Sequence, residues 1–412
     1  MKDSGAAGIG RAPGAHPERR VLFVVPRLVE AGGGSERLLS EIAVRLAARE
    51  DFAVEIATTC ATSDATWENV LPEGRSVVDG IVVRRFATRP PSAASVGRTR
   101  RLLSRPRASA LLDRLGWRPA TVASPALADF LRATRRDWDA VVAAPCVHGT
   151  TATVVSEVPE RAVLVPCLHD EPEARLPSTG RMLRAASRRL FNTVYERDLA
   201  RRLHGDEAAR GPVVGLGFDV PADVAPEAEV RERFGIEGDF LVHVGRAAPG
   251  KGVDELVALV RAHALAQPAE AVGLVLAGAG RRPAEIAPGI RHLGWVDERT
   301  KHGLVAASLS HASFSRMESL SIALHEAWLL GTPAIVGADS GLLAWQVGRS
   351  GGGIAIRTPE DLAAALRCLR EPGRRAALAE AGARLVREEH AWDRVLGAFV
   401  GALPTFPATT SR

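Results

Sequence analysis

Short apolar runs alternate along this chain with longer segments in which apolar residues recur every three or four positions. Residues 21–26 (VLFVVP) form a continuous apolar run, which is typical of a strand buried on both faces of a parallel sheet. A glycine-rich loop follows, and residues 38–46 then carry apolar side chains at helical spacing. Strand, glycine loop and helix in this order predict the opening of a doubly wound α/β domain.

The same alternation continues in two series. In the first half, strands are predicted at residues 53–58, 81–86, 140–144, 162–167 and 191–194. In the second half, strands are predicted at residues 240–244, 272–277, 290–296, 334–336 and 352–356, and helices at 321–330, 361–369, 373–387 and 391–403. A stretch rich in proline, glycine and acidic residues separates the two series at 215–227. We therefore expect two similar Rossmann-like domains that face each other across a cleft.

This reading divides the chain into four parts. Residues 1–19 contain no apolar core and are expected to be a disordered tail rather than a signal peptide. Residues 20–215 and 216–390 are the two predicted Rossmann-like domains. Residues 391–412 are predicted to contain a helix that ends the chain.

Composition narrows the functional classes. Apolar residues make up 46% of the chain, and no uninterrupted apolar run approaches 18 residues, so no membrane span is expected. The formal net charge of +5 comes from arginine, since only Lys2, Lys251 and Lys301 are lysines. Nothing resembles a zinc finger or a basic–aromatic nucleic-acid surface, so no nucleic-acid partner is predicted. Four cysteines without a CxxC pair indicate reduced thiols in a cytoplasmic protein.

One basic segment, from Arg98 to Arg118, also carries several leucines. Such a segment could make weak contact with an anionic membrane surface or with an acidic acceptor. The alternative is a solvated, arginine-rich insertion between strands, and the general arginine bias of the chain together with Pro106 favours that alternative.

The most informative stretch is residues 313–336, which predict a strand, a short polar loop, a helix and a second strand. A helix N-terminus at the carboxyl edge of a sheet offers free backbone N–H groups to an anion. Glu318 lies in the loop, and Glu326 lies about five residues inside the helix, roughly 7 Å along its axis. Taken alone, Glu326 could equally be a solvated charge on an amphipathic helix.

Further polar residues follow other predicted strands. Arg246 and Lys251 flank a Pro-Gly turn after the strand at 240–244 and would suit a diphosphate. His169, Asp170 and Glu171 follow directly on the strand at 162–167, at the edge where open α/β sheets bind ligands. The loop with Gly33 and Gly34 would let backbone approach a phosphate closely.

The runs VGRAAPGKG (244–252) and ESLSIALHE (318–326) resemble the retaining, nucleotide-sugar-dependent glycosyltransferases of family 4, which have the GT-B fold. The family's GxG, LG-x-V and GTP elements occur in the expected order at 278–280, 293–296 and 331–333, and the loop at 33–36 is similar to its GG-x-E motif. The final helix, with Ala391-Trp392-Asp393, is similar to the family's segment that returns to the first domain.

The resemblance implies a role for each matched residue. The N-terminal domain would bind the acceptor and the C-terminal domain a nucleoside-diphosphate sugar, with no metal or other cofactor. Expected catalytic residues are Glu318 and His169 at the transferred sugar and Arg246 and Lys251 at the diphosphate. Expected donor-binding residues are Gly33, Gly34, Leu320, Ser321 and Ile322 at the phosphates, Glu326 at the ribose, and Val296 or Asp297 at the base.

Departures from the family pattern leave the sugar, the base and the acceptor open. The loop Glu318-Ser319-Leu320-Ser321 has no glycine where the family often has Glu-Gly-Phe-Gly, and the family's His-x-His after the fourth strand is missing. A polysaccharide, a lipid carrier and a natural-product aglycone all remain possible acceptors. Two other functions also remain: a nucleotide-sugar epimerase of the same architecture, and a non-catalytic subunit that binds a nucleotide sugar.

Overall fold

The computed structural model describes residues 19–29, 32–283 and 289–404 and shows two α/β domains, each built on its own sheet. The first sheet, within these residues, has the order β3-β4-β2-β1-β5-β6-β7. Its strands are β1 (Arg19–Val24), β2 (Phe52–Thr59), β3 (Gly74–Val78), β4 (Ile81–Phe86), β5 (Ala140–Ala143), β6 (Ala162–Leu164) and β7 (Arg188–Arg189). All pair in parallel except β3, which runs antiparallel to β4 at one edge.

Helices cover both faces of the first sheet. They are α1 (Gly34–Ala47), α2 (Ala93–Leu103), α3 (Pro106–Arg114), α4 (Pro125–Thr134), α5 (Gly149–Glu157), α6 (Pro177–Ala185) and α7 (Val194–His204). A 3-10 turn, Glu173–Arg175, precedes α6. The central strands between these layers are mostly apolar: every residue of β5 is buried, and so are residues 21–24 of β1. Burial on both faces explains why these strands read as continuous apolar runs.

The second sheet has the order β10-β9-β8-β11-β12-β13, with all pairs parallel. Its strands are β8 (Phe240–Val244), β9 (Gly273–Ala277), β10 (Ile290–Gly294), β11 (Ser310–Ser313), β12 (Ala334–Gly337) and β13 (Gly353–Ile356). Its helices are α8 (Glu227–Phe234), α9 (Val253–Ala266), α10 (Glu298–Ala307), α11 (Ile322–Leu329), α12 (Gly341–Ser350), α13 (Pro359–Arg370) and α14 (Pro372–Glu389), with a 3-10 turn at Pro268–Glu270.

Both sheets place a topological switch point toward the space between the domains. The strand order reverses between β1 and β5 in the first sheet and between β8 and β11 in the second. Ligands of open α/β sheets bind in the crevice outside the carboxyl ends of strands at such points. The loops after β1, β6, β8 and β11 carry nearly all of the candidate residues, so the topology gathers them at one cleft.

The last helix, α15 (Trp392–Ala402), lies on the first domain although it follows α14 of the second. Val395 and Phe399 belong to the first domain's apolar core, and the Phe399 ring stacks on Phe23 with centroids 6.0 Å apart. A Cβ at Gly217 would approach the Trp392 ring to 2.3 Å, so the linker needs glycine where it passes this helix. The chain therefore crosses between the domains twice, at the linker and before α15.

The predicted strand at 191–194 is wrong. The edge strand β7 lies earlier, and α7 begins at Val194 because the Thr193 side chain accepts a hydrogen bond from the Glu196 N–H and caps the helix. Thr193-Val-Tyr-Glu196 carries the Thr-x-x-Glu signal of a helix start, which outweighs the local β-branched and aromatic content.

Other boundaries also differ from the prediction. Of the predicted tail, residues 1–18 lie outside the described residues, whereas Arg19 already belongs to β1. The antiparallel edge strand β3 was not predicted from the sequence. Residues 405–412 of the last segment also lie outside the described part of the chain. Within the described part, no helix combines the length and the apolar content needed to cross a membrane.

Candidate functional site

A cavity of about 840 Å³ lies between the two domains. Nine of the predicted site residues line it: Gly33, Gly34, Arg246, Lys251, Val296, Glu318, Leu320, Ser321 and Ile322. The structure therefore brings together residues from the loop after β1 and from three loops of the second sheet. A smaller cavity of about 260 Å³ adjoins it and shares Gly33, Arg246, Lys251 and Glu318 with it.

The floor of the large cavity is the start of α11. No side chain caps this helix at Ser321, so its first backbone N–H groups remain available at the cavity wall. A Cβ at Gly34 would lie 3.8 Å from Cδ1 of Ile322, which shows how closely the first domain's glycine loop approaches the helix start. An anion held here would lie between two sets of backbone N–H groups and the positive end of a helix dipole.

Lys251 lies at the same helix start and is held by the loop that precedes α11. Its Nζ lies 2.8 Å from Oε1 of Glu318 and donates a hydrogen bond to the Met317 carbonyl at 2.9 Å. Gly252, at φ +67°, makes this approach possible, because a Cβ there would lie 2.2 Å from the carbonyl oxygen of Phe314. Lys251 and Glu318 therefore form an ion pair at the floor of the cleft.

Arg246 reaches across the cleft and contacts Asp64 of the first domain. Arg246 Nη1 lies 2.5 Å from Oδ2 of Asp64, and Arg27 Nη2 lies 3.4 Å from the same oxygen. Burial by itself would raise the pKa of Asp64, but Arg246 and then Arg27 outweigh that effect and lower it below its ordinary value. Asp64 is therefore a carboxylate at neutral pH.

Glu326 is buried and doubly paired, which excludes its reading as a solvated helix charge. Arg37 Nη2, from α1 of the first domain, lies 2.6 Å from one carboxylate oxygen, and Lys301 Nζ lies 2.9 Å from the other. Burial alone would raise the pKa of Glu326, but Arg37 and Lys301 reverse the effect and lower it. The carboxylate thus joins α11 to the first domain through Arg37 and to α10 of its own domain through Lys301.

His169 faces the smaller cavity, beside Glu171. Its Nδ1 lies 3.7 Å from Oε1 of Glu171. Burial and then nearby Lys251 lower the pKa of His169 to about 4, so the ring is neutral at physiological pH. Burial and then Glu173 raise the pKa of Glu171 to about 7, so this carboxyl titrates near neutrality.

The two candidates for the base end of the site have different positions. Val296 lines the large cavity next to Trp295, whose side chain is 54% exposed. Asp297 caps α10 instead: its two carboxylate oxygens accept hydrogen bonds from the backbone N–H and the hydroxyl of Thr300, both at 2.8 Å. Val296 therefore lines the large cavity, whereas Asp297 does not.

Four residues at the site were not predicted from the sequence: Arg27, Arg37, Asp64 and Lys301. The sequence contains a feature that could have pointed to two of them: Lys301 is one of only three lysines, and Arg37 directly follows the GG-x-E loop. Asp64 lies in a loop without any motif, and it meets Arg246 across 182 positions of sequence. No local pattern predicts such a contact.

One group in the described part of the chain has ligand atoms close enough to hold a metal ion: Glu298, His302 and Glu326. Lys301 lies 2.6 Å from Glu298 and 2.9 Å from Glu326. Arg37 contacts Glu326 as well. Because two cations already neutralise these carboxylates, the group does not fit a divalent ion.

The basic segment at 98–118 forms α2 and α3. Six of its seven arginines have no acidic partner among the described residues; the exception is Arg118, which lies 3.3 Å from Asp113. Leu111 and Leu115 are 57% and 75% exposed. They are four positions apart in and just after α3, so they share a face with the exposed arginines Arg107 and Arg114.

Comparison with solved structures identifies the architecture. The chain superposes on Anabaena HepE in complex with UDP and glucose with a TM-score of 0.68, at 17% sequence identity, over 94% of this chain and 99% of that one. The protein has the GT-B fold, as predicted.

Sequence comparison agrees with this fold. Residues 238–371 match the family model described as "Glycosyl transferases group 1". The chain is 31% identical over 271 residues to the D-inositol 3-phosphate glycosyltransferase of Thermomonospora curvata, and 28% identical over 275 residues to that of Jonesia denitrificans. These matches cover 58% and 60% of this chain, and they span 63% of the length of each relative.

Proposed function

We propose that this protein is a glycosyltransferase that moves a sugar from a nucleoside-diphosphate donor to an acceptor hydroxyl, with retention of configuration, as in family 4. One observation carries the proposal: Arg246, Lys251, Glu318 and the uncapped start of α11 line a single cavity between two Rossmann-like domains. Two cations and a helix terminus suit a diphosphate, and a carboxylate beside them suits sugar hydroxyls.

The arrangement also suggests what each group does during transfer. As the bond between sugar and phosphate breaks, negative charge develops on the leaving diphosphate, and Arg246, Lys251 and the α11 N–H groups would stabilise it. The leaving phosphate oxygen would accept the proton of the acceptor hydroxyl on the same face of the sugar. Glu318 and the neutral His169 ring would hold sugar hydroxyls, so no protein nucleophile is required.

We propose that the reaction needs no metal or other cofactor. The cations of the site already supply the charge that a divalent ion would bring to a diphosphate. The carboxylates of Glu298 and Glu326 are neutralised by Lys301 and Arg37. Activity should therefore persist in excess EDTA.

The related proteins suggest which substrates to test first. HepE binds UDP and glucose, and both curated relatives are inositol-phosphate glycosyltransferases by name. We therefore propose a hexose donor, with UDP-glucose as the first candidate and GDP- and TDP-sugars as alternatives. The candidate acceptors remain a polysaccharide, a lipid carrier and a small aglycone. The names of the two relatives add a fourth candidate, a phosphorylated polyol.

A peripheral contact belongs to the same proposal. The arginines of α2 and α3, together with exposed Leu111 and Leu115, would allow weak binding to an anionic membrane surface, where a lipid-carrier acceptor would be found. A cytoplasmic location remains a prediction from the cysteine pattern.

The experiment measures donor consumption and product formation with a panel of UDP-, GDP- and TDP-sugars, with and without candidate acceptors. Lys251→Ala should lower kcat/KM by about a hundredfold or more, since a charge at the leaving group is lost. Arg316→Ala is the matched control, because Arg316 lies in the same loop as Glu318 but does not line the large cavity, and its side chain pairs with Glu255 at 2.6 Å. Equal turnover of Lys251→Ala, Glu326→Ala and wild type would contradict the site.

The same assay separates the two alternatives. Conversion of the donor sugar without any acceptor would indicate an epimerase. Tight calorimetric binding of a nucleoside diphosphate, with no turnover on any acceptor, would indicate a non-catalytic binding subunit. The glycine-free loop after Glu318 is the feature that keeps this second alternative open.

A further inference from the structure

A row of alternating charges crosses the cleft beside the large cavity. In the first domain, Glu36 pairs with Arg27 at 3.0 Å, and Arg27 lies 3.4 Å from Asp64. The row ends in the second domain, where Asp64 meets Arg246 at 2.5 Å. Arg27 and Glu36 are both buried, whereas the side chains of Asp64 and Arg246 are 34% and 48% exposed, so the Asp64 end is the more accessible end of the row.

Asp64 occupies the position of an anion at Arg246. A carboxylate and a phosphate offer a guanidinium the same kind of oxygen pair, so both compete for the same fork of donors. The neighbouring cation, Lys251, differs in that its carboxylate partner, Glu318, belongs to its own domain. The counter-ion of Arg246 comes from the opposite domain and would be displaced, or would repel the ligand, when a diphosphate enters.

We propose that Asp64 is a displaceable counter-ion that weakens diphosphate binding in this cleft and weakens it more for the product than for the donor. This inference rests on the proposed function. A sugar bonded to the diphosphate leaves it with about two negative charges. Transfer frees a terminal phosphate whose second ionisation lies near pH 6, so the product carries about one charge more. The Asp64 carboxylate, which competes with the ligand for Arg246, therefore opposes binding of the product more strongly and favours its release.

The geometry also sets the expected change in diphosphate affinity when the Asp64 charge is removed. The Asp64 side chain is 34% exposed, so solvent and salt screen its repulsion of a ligand held at Arg246. With an effective dielectric suited to a cleft, we expect the removal of this charge to tighten diphosphate binding by about fivefold to tenfold. A purely structural Asp64, serving only as a partner of Arg27, would change stability and leave anion affinity unaltered.

The test is calorimetric titration of the full chain with inorganic pyrophosphate, UDP, GDP and UDP-glucose. Asp64→Asn should tighten pyrophosphate binding and the binding of the accepted nucleoside diphosphate, with a smaller gain for the corresponding sugar nucleotide. Asp64→Glu keeps the charge and should bind like wild type. Asp79→Asn is the control: exposed Asp79 lines the large cavity, whereas Asp64 lines the smaller one beside it, and Asp79 makes no ion pair among the described residues, so its effect should be under twofold.

Arg246→Gln provides the coupling measurement. In that background Asp64→Asn should lose its effect on pyrophosphate, because the cation that both anions share is gone. Thermal unfolding of every variant shows whether each one folds, and Asp64→Ser replaces Asp64→Asn if the latter does not.

The outcomes separate this inference from the proposed function. If pyrophosphate binds more tightly to Asp64→Asn but no nucleoside diphosphate binds either protein, the counter-ion role stands and the nucleotide-sugar function fails. If pyrophosphate affinity is unchanged or weaker in Asp64→Asn, or if pyrophosphate binds neither protein, the counter-ion role is wrong, whatever the nucleotides do.

Discussion

Arg37 of the first domain and Glu326 of the second are joined across the cleft by an ion pair of 2.6 Å. Lys301 contacts the other oxygen of the same carboxylate. Glu326 is thus both the residue that the family resemblance predicts to contact the ribose and a point of contact between the domains. A ribose hydroxyl that binds Glu326 would do so beside a side chain from the opposite domain, which links occupancy of the site to closure of the cleft.

We expect Glu326→Gln to destabilise the protein by about 1 to 3 kcal/mol at pH 7, because buried Lys301 would keep only the exposed Glu298 as a counter-ion and Arg37 would lose its closest one. The free energy of unfolding in urea, followed by tryptophan fluorescence, measures this. Glu298→Gln is the control: Glu298 also pairs with Lys301 but is 63% exposed, and its loss should cost about 0.5 kcal/mol or less. Equal losses for both variants would contradict the assignment.

The Glu326 effect should depend on pH. The folded state lowers the pKa of Glu326, so its contribution is complete above the unfolded pKa and disappears as the pH falls through the folded one. The difference in unfolding free energy between wild type and Glu326→Gln should therefore shrink below about pH 4. A difference that stays constant from pH 7 to pH 3 would indicate that packing, rather than charge, causes the loss.

Glu171 should show the opposite dependence. Its pKa rises from 4.5 to about 7 on folding, so the folded state holds a proton that the unfolded state releases, and stability falls between these pH values. At pH 8, Glu171→Gln should be more stable than wild type by on the order of 2 to 3 kcal/mol, and near pH 4 the two should be similar. Asp170→Asn, at an exposed neighbour, should show no such crossover in urea unfolding.

Phe399 tests the attachment of α15 to the first domain. The side chain is fully buried and stacks on Phe23. Phe399→Ala should destabilise the protein by about 3 to 5 kcal/mol through lost burial and a residual cavity. Leu265→Ala, at a position 79% exposed on α9, should stay within about 0.5 kcal/mol of wild type in the same thermal and urea experiments. A small effect of Phe399→Ala would mean that α15 is not anchored there.

The α2–α3 segment should bind vesicles that contain phosphatidylglycerol, but not pure phosphatidylcholine, in a sedimentation assay at low salt. The double variant Leu111→Gln, Leu115→Gln should lower the bound fraction severalfold, since the exposed apolar face is lost. Leu265→Gln removes a comparably exposed leucine from the other domain and should change nothing. If the double variant binds as well as wild type, or if wild type binds neither kind of vesicle, the segment is a solvated insertion.

Much of the fold follows from local pattern. Continuous apolar runs mark the parallel strands because these strands are buried on both faces, and the runs at 240–244 and 334–336 match β8 and β12 to within a residue. The strand predicted at 191–194 is wrong because Thr193 caps a helix there, and a hydrogen bond of this kind leaves no trace in the hydrophobic pattern. The antiparallel β3 is mostly exposed and has no apolar run to detect.

By itself, the sequence determined the two-domain α/β architecture and the loops that carry Arg246, Lys251, Glu318 and the glycines, because these depend on short-range spacing and on the rule that parallel strands end at one edge. Only the tertiary structure decided which charges meet across the cleft. Arg37 with Glu326 and Asp64 with Arg246 are set by how two domains pack, and no periodicity in either segment encodes the distance between them.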